Sequence, residues 1–147
     1  MKGKNLQSIT LEIPVLPDRA LSPNWRGHWS IKNKASQELR FIAWVVAKES
    51  KCPHFEKATV QFTYHVQTNR RRDGDNWLIM AKPLIDGLVD AGIFPDDSSR
   101  FIKLLPVKFE LGKSPKTVVE ILSNMEPKIK EVINDHRQSN QNIGRPA

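Results

Sequence analysis

One cysteine, no paired histidines and no long apolar run are what this 147-residue chain most conspicuously lacks or limits. A single thiol, Cys52, excludes an intrachain disulfide framework, a thiolate zinc cluster and a CxxC redox pair, and it fits an intracellular, cytoplasmic setting. No stretch approaches the roughly 20 apolar residues of a spanning helix, so no membrane partner is expected. The apolar run after Lys2 and Lys4 is cut by Glu12 and Pro14, which leaves no signal-peptide core. His28, His54, His65 and His136 form no i,i+4 pair, so no histidine is assigned a zinc or catalytic role, and no Gly-rich phosphate or dinucleotide loop is present. What the chain does carry is positive charge: 23 Lys+Arg against 16 Asp+Glu, a formal net +7, the balance of a protein with an anionic partner.

The apolar content of 39% is enough for one compact core of roughly a hundred residues. Composition shifts once, near Ser123, dividing a domain over 1–123 from a polar tail over 124–147. The tail is expected to hold at most a short amphipathic helix through Ile129, Val132 and Ile133 and to be otherwise disordered. Ser8 to Leu16 alternates Ile9, Leu11, Ile13 and Val15, the period of a half-buried strand, with Pro14 and Pro17 marking an edge or an early end. From Ile31 to Glu49 apolar residues recur every three or four positions, with Ser30 placed to cap an amphipathic helix. Val60, Phe62, Tyr64 and Val66 mark a second strand. A second helix is expected from about Asn76 to Ala91, kinked or restarted at Pro83 and stopped by Gly92. Two last strands, Phe101–Glu110 and Lys116–Leu122, are split by Gly112 and Pro115 at a hairpin-like spacing. The order β-α-β-α-β-β gives a small α/β domain, a mixed sheet packed by two helices.

Charge is unevenly placed. Residues 73–97 hold six aspartates and one basic residue, Lys82, for a net −5, against +12 in the remainder, and Arg70, Arg71 and Arg72 abut this acidic island. Caps and solvated faces account for some of it: Asp75 or Asn76 is placed to cap the helix, Asp86 and Asp90 sit one turn apart as a solvated or salt-bridged face, and Asp96 and Asp97 precede a Ser98-Ser99 turn. The sharper reading starts from Asp73-Gly74-Asp75-Asn76, where two carboxylates at i and i+2 point the same way. Such hard oxygen donors suit Mg²⁺, with Mn²⁺ as its substitute, held by one or two carboxylates plus waters and substrate phosphate. An EF-hand is excluded, because Trp77 stands where the fifth-position oxygen ligand would be. Three successive guanidiniums favour phosphate contacts, and Trp25-Arg26-Gly27-His28-Trp29 interleaves aromatic and basic groups in a manner suited to base stacking.

Taken together, Arg70-Arg71-Arg72-Asp73-Gly74-Asp75-Asn76, then Lys82 and Asp86-Gly87-Leu88, then Ala91-Gly92-Ile93-Phe94-Pro95-Asp96-Asp97 resembles the signature of the RusA family of Holliday junction resolvases. The close resemblance covers about 28 residues, and Ser22-Pro23-Asn24 looks like that family's Pro-rich, Asn-containing loop. Members are small dimeric Mg²⁺-dependent endonucleases, often of phage or prophage type, that resolve four-way DNA junctions by symmetric nicks in recombination and repair. The resemblance implies a RusA-like fold, a metal site of Asp73, Asp75 and Asp97 with Asp96 in reserve, Lys82 as the essential lysine, branched DNA as substrate and a homodimer as the working unit. Arg70, Arg71, Arg72, Asn76, Trp25 and Arg26 would contact DNA. In the family the lysine follows the asparagine by three residues, whereas Asn76 and Lys82 are six apart. Three added helical residues rotate a side chain by about 300° and advance it by roughly 4.5 Å, back to nearly the same face one turn on. A straight helix over 76–91 would be roughly 24 Å long against about 20 Å of return in 92–97, so Asp97 reaches Asp75 only if the helix bends, starts later, or is complemented across a dimer. Two competing readings are a catalytically inactive nucleic-acid-binding accessory protein, with a structural aspartate cluster, and a basic scaffold with no nucleic-acid role.

Overall fold

A computed structural model describes residues 7–123; the proposed tail and its helix through Ile129, Val132 and Ile133 lie outside them. The elements are β1 (Ser8–Ile13), a 3-10 turn η1 (Arg19–Leu21), α1 (Trp29–Glu49), β2 (Ala58–Val66), α2 (Gly74–Met80), α3 (Lys82–Asp90), β3 (Ile102–Leu104), β4 (Lys108–Leu111) and β5 (Lys116–Ser123). They make a small α/β unit: a mixed sheet with a helical layer on one face.

Alternation in the strands decides which face is buried, because side chains at i and i+2 share a side of a sheet. Ile9, Ile121 and Val60 lie opposite one another across β1, β5 and β2, then Leu11, Val119 and Phe62, then Ile13, Thr117 and Tyr64, with Phe109 of β4 beyond Tyr64. The last row includes a polar member, and the hydroxyl of fully buried Thr117 donates to the Val15 carbonyl at 2.8 Å. Leu39 and Ala43 of α1 and Leu84 and Leu88 of α3 cover these rows.

Strand order is β1-β5-β2, with β3 and β4 both running along the far edge of β2. β5 is antiparallel to β1 and β2, whereas β3 and β4 are parallel to β2. The last two strands therefore do not form the expected hairpin, since β2 lies between β4 and β5. Their connection instead crosses the end of β2, where Gly112 donates to the Val66 carbonyl at 2.8 Å and the Gln67 side chain to the Lys113 carbonyl at 2.8 Å. The expected single strand Phe101–Glu110 is broken in two around Pro106, which has no N–H to give to a ladder. There the Gln61 side chain donates to the Pro106 carbonyl at 2.9 Å and bridges the gap.

Helix ends follow local chemistry, with two changes from expectation. His28 rather than Ser30 caps α1, its Nδ1 accepting from the Ser30 N–H at 3.1 Å, so the helix begins at Trp29. Asp73, and neither Asp75 nor Asn76, caps α2. The second helix restarts as anticipated: Ala81 ends α2 and opens α3, with Pro83 in the first turn, where its missing N–H costs nothing. Gly92 follows α3 at φ +83, the left-handed conformation that glycine takes most cheaply. Helices α1 and α3 meet at Gly87, where an added Cβ would stand 2.2 Å from the Arg40 carbonyl oxygen. No helix among the described residues is long and apolar enough to cross a membrane.

Candidate nucleic-acid interface and carboxylate site

An aromatic cluster on the sheet sets the position of α2. Tyr64 is fully buried, and its hydroxyl donates to the Trp77 carbonyl at 2.8 Å while the two rings pack with centroids 4.9 Å apart. Phe109 meets Trp77 edge-on at 5.6 Å, and the Arg72 guanidinium lies over the Phe109 ring at 5.8 Å. Arg72 also donates to the Thr68 and Arg70 carbonyls, both at 3.0 Å, and to the Thr68 hydroxyl. It therefore staples the loop from β2 to α2, whereas Arg70 and Arg71 stay exposed and form no ion pair among the described residues. The arginines do not neutralise the neighbouring aspartates.

A cleft of about 380 Å³ opens beside this loop, lined by Arg70, Arg71, Arg72, Asp73 and Asn76 and closed by Arg19 and Ser22 of the η1 segment. Nothing in the local sequence around Arg19 marks it as part of such a site; the Asp18 cap and the buried Leu21 deliver it there. Asp73 accepts from the N–H groups of Asp75 and Asn76 with one oxygen, Oδ1, so its other oxygen is not used by the cap. Asp75 is exposed and makes no ion pair among the described residues. Of the other two residues singled out for DNA, Trp25 is half-buried and folds its ring over Gly27, while Arg26 is exposed; neither lines the arginine cleft.

Lys82 is the meeting point of the acidic segment. Its ammonium donates to Asp86 at 2.6 Å, one helical turn on, and to Asp97, fifteen residues away. Restarting the helix at Lys82 makes the second contact possible, because the return loop needs to span only α3, roughly 14 Å long. Hydrogen bonding to Lys82 holds the Asp97 carboxyl below its usual range. Burial opposes the charge on Lys82, but its bonds to Asp86 and Asp97 outweigh that and raise its pKa. Asp90 stands apart, taken up by Arg40 of α1.

Asp73, Asp75 and Asp97 are hard oxygen donors whose chemistry fits Mg²⁺. Among the described residues no three His, Cys, Asp or Glu side chains converge on one point, and Asp97 lies with Lys82 instead. Mg²⁺ ordinarily takes one or two protein carboxylates, the rest of its shell coming from water and substrate phosphate, so two aspartates suffice as a donor set. Cys52 is no candidate nucleophile, since burial pushes its thiol up to about 11.

No family model matches the chain. A 124-residue segment, 80% of this chain and 77% of the other, is 32% identical to an uncharacterized protein of Xylella fastidiosa (strain Temecula1). The chain belongs to the same family as that Xylella protein.

Proposed function

We propose that this protein is a Mg²⁺-dependent, structure-selective endonuclease of RusA type, which nicks four-way DNA junctions as a homodimer. The observation that carries the reading is the contact between Lys82 and Asp97, which joins two of the three separated clusters of the motif at the head of α3. The arginine cleft is built from the same η1 and α2 elements that border Lys82. Arg70, Arg71 and Arg19 would grip backbone phosphates, an interaction that fixes position on the nucleic acid rather than sequence. Asp73 and Asp75 would hold the cation, with water and substrate phosphate completing its shell. When bound, Mg²⁺ polarises the scissile phosphate and activates a water. Lys82, charged at neutral pH like any lysine and held in place by Asp86 and Asp97, would serve as a fixed positive charge for oxygens that become more negative in the transition state. Two-fold pairing of protomers suits paired nicks on opposed strands.

The test is Mg²⁺-dependent cleavage of a labelled junction against linear duplex of matched sequence, with Asp75→Asn alongside. Junction nicking lost in the variant with binding retained is the expected result. A junction bound but left intact in both Mg²⁺ and Mn²⁺ would overturn it in favour of the accessory DNA-binding protein. Absence of salt-sensitive DNA binding would remove both, since phosphate neutralisation predicts steep salt dependence.

A further inference from the structure

A second cleft, of about 400 Å³, lies on the other side of Leu21, between the start of α1 and the junction of α2 with α3. Its composition differs from that of the arginine cleft. Trp29 and Ile79 line it while exposed by 71% and 54%; the His28 ring meets the Trp29 ring at 5.4 Å, yet most of the indole stays open. Lys32 supplies an ammonium and Asn33 and Ser36 neutral polar groups along the same walls, while the Lys82 ammonium is held by Asp86 and Asp97. Exposed apolar surface costs stability unless something covers it, and here it is rimmed by polar groups and the Lys32 cation.

We infer that this cleft receives a single unpaired base of the bound DNA, stacked on Trp29 and flanked by Ile79, with its phosphate toward Lys32. The inference rests on the nucleic-acid reading above and adds the form of the substrate. A planar ring with apolar faces, polar edges and an anionic phosphate matches an indole, an aliphatic side chain, the Asn33 amide and the Lys32 ammonium together. The volume falls within the roughly 300–1,000 Å³ of small-molecule pockets, and the adjacent Arg19 belongs to the arginine-lined cleft next door. An acidic peptide would satisfy Lys32 but leave the open face of Trp29 without a planar partner. A duplex interior hides its base faces, whereas a branch point or single strand can offer one.

The test compares binding of wild type, Trp29→Ala, Trp29→Phe and Phe41→Ala to a junction with one unpaired base and to matched linear duplex. Phe41 is a similarly exposed aromatic, at 63%, that does not line the cleft. Loss of one stacking platform predicts about a 5- to 100-fold weaker complex for Trp29→Ala on the unpaired-base DNA, with duplex affinity and thermal midpoint unchanged. Trp29→Phe should restore most of the affinity, and Phe41→Ala should match wild type. A 2-aminopurine at the unpaired position should be quenched by wild type and not by Trp29→Ala. Wild-type affinity in Trp29→Ala, or an equal loss on both DNAs, would overturn the base pocket while leaving the phosphate cleft standing. Failure of wild type to bind either DNA at low salt would overturn both.

Discussion

The two ends of α3 carry ion pairs of opposite character. At its C-terminal end Asp90 receives Arg40 through two parallel bonds, 2.5 and 2.8 Å, one guanidinium for one carboxylate. That pair fastens α3 to α1 beside Gly87, where the backbones approach too closely for a side chain. At the N-terminal end a single ammonium serves Asp86 and Asp97, leaving one negative charge in excess. A balanced fork-to-fork pair completes a helix contact, whereas an unbalanced cluster retains charge that can act on something from outside.

Replacing Lys82 should break this contrast most sharply. Lys82→Met is expected to slow junction nicking by about 10²–10³, roughly 2.7–4 kcal/mol of barrier, in single-turnover assays, with DNA affinity nearly unchanged. It should also raise the pKa of Asp97, because the cation that holds it down is gone, a change visible by carboxylate NMR titration. Full nicking by Lys82→Met would make that end of α3 a fastener like the other.

Gly87→Ala comes next. Its Cβ would meet the Arg40 carbonyl oxygen and the Ala43 side chain, so denaturant unfolding should show a loss of about 1–3 kcal/mol from overpacking. An unchanged midpoint would show that α1 and α3 can separate freely, and the Asp90 pair would then have no closed contact to complete. Removing the pair itself should cost less. Arg40→Ala is expected to lose only about 0.2–1 kcal/mol, since both partners are more than a third exposed, and to leave nicking intact.

The smallest effect is on pH dependence. Hydrogen bonding to Arg40 lowers the pKa of Asp90, so the stability it contributes is fully present above the unfolded carboxylate value of about 3.9 and is lost as pH falls through the lower folded value. The stability gap between wild type and Asp90→Asn should be widest near pH 7 and close in acid, measured by thermal unfolding. A gap that widened below pH 4 would reverse the assignment.

Much of the scaffold was legible along the chain because it rests on local rules. Alternation in 60–66 and around Ile9, Leu11 and Ile13 marked the strands, Gly92 marked a helix end, and Pro83 marked the restart. The acidic segment and the arginine run also stood out in one dimension, since charge imbalance needs no coordinates. Trp29 belongs to the same aromatic and basic stretch as Trp25 and Arg26, and only the direction of its side chain places it on the second cleft. Ser30 was a reasonable cap by residue type, and His28 took the role because its ring nitrogen reaches the Ser30 N–H.

By itself, then, the sequence determined the element types, the helix break and the concentration of carboxylates and guanidiniums near one loop, because propensity, periodicity and charge act between neighbours. Tertiary structure alone decided that β3 and β4 flank β2, that Arg72 turns back over Phe109, that Arg19 joins the arginine cleft and that Lys82 meets Asp97. These depend on which surfaces the buried rows of the sheet bring together across tens of residues, and no local spacing encodes that.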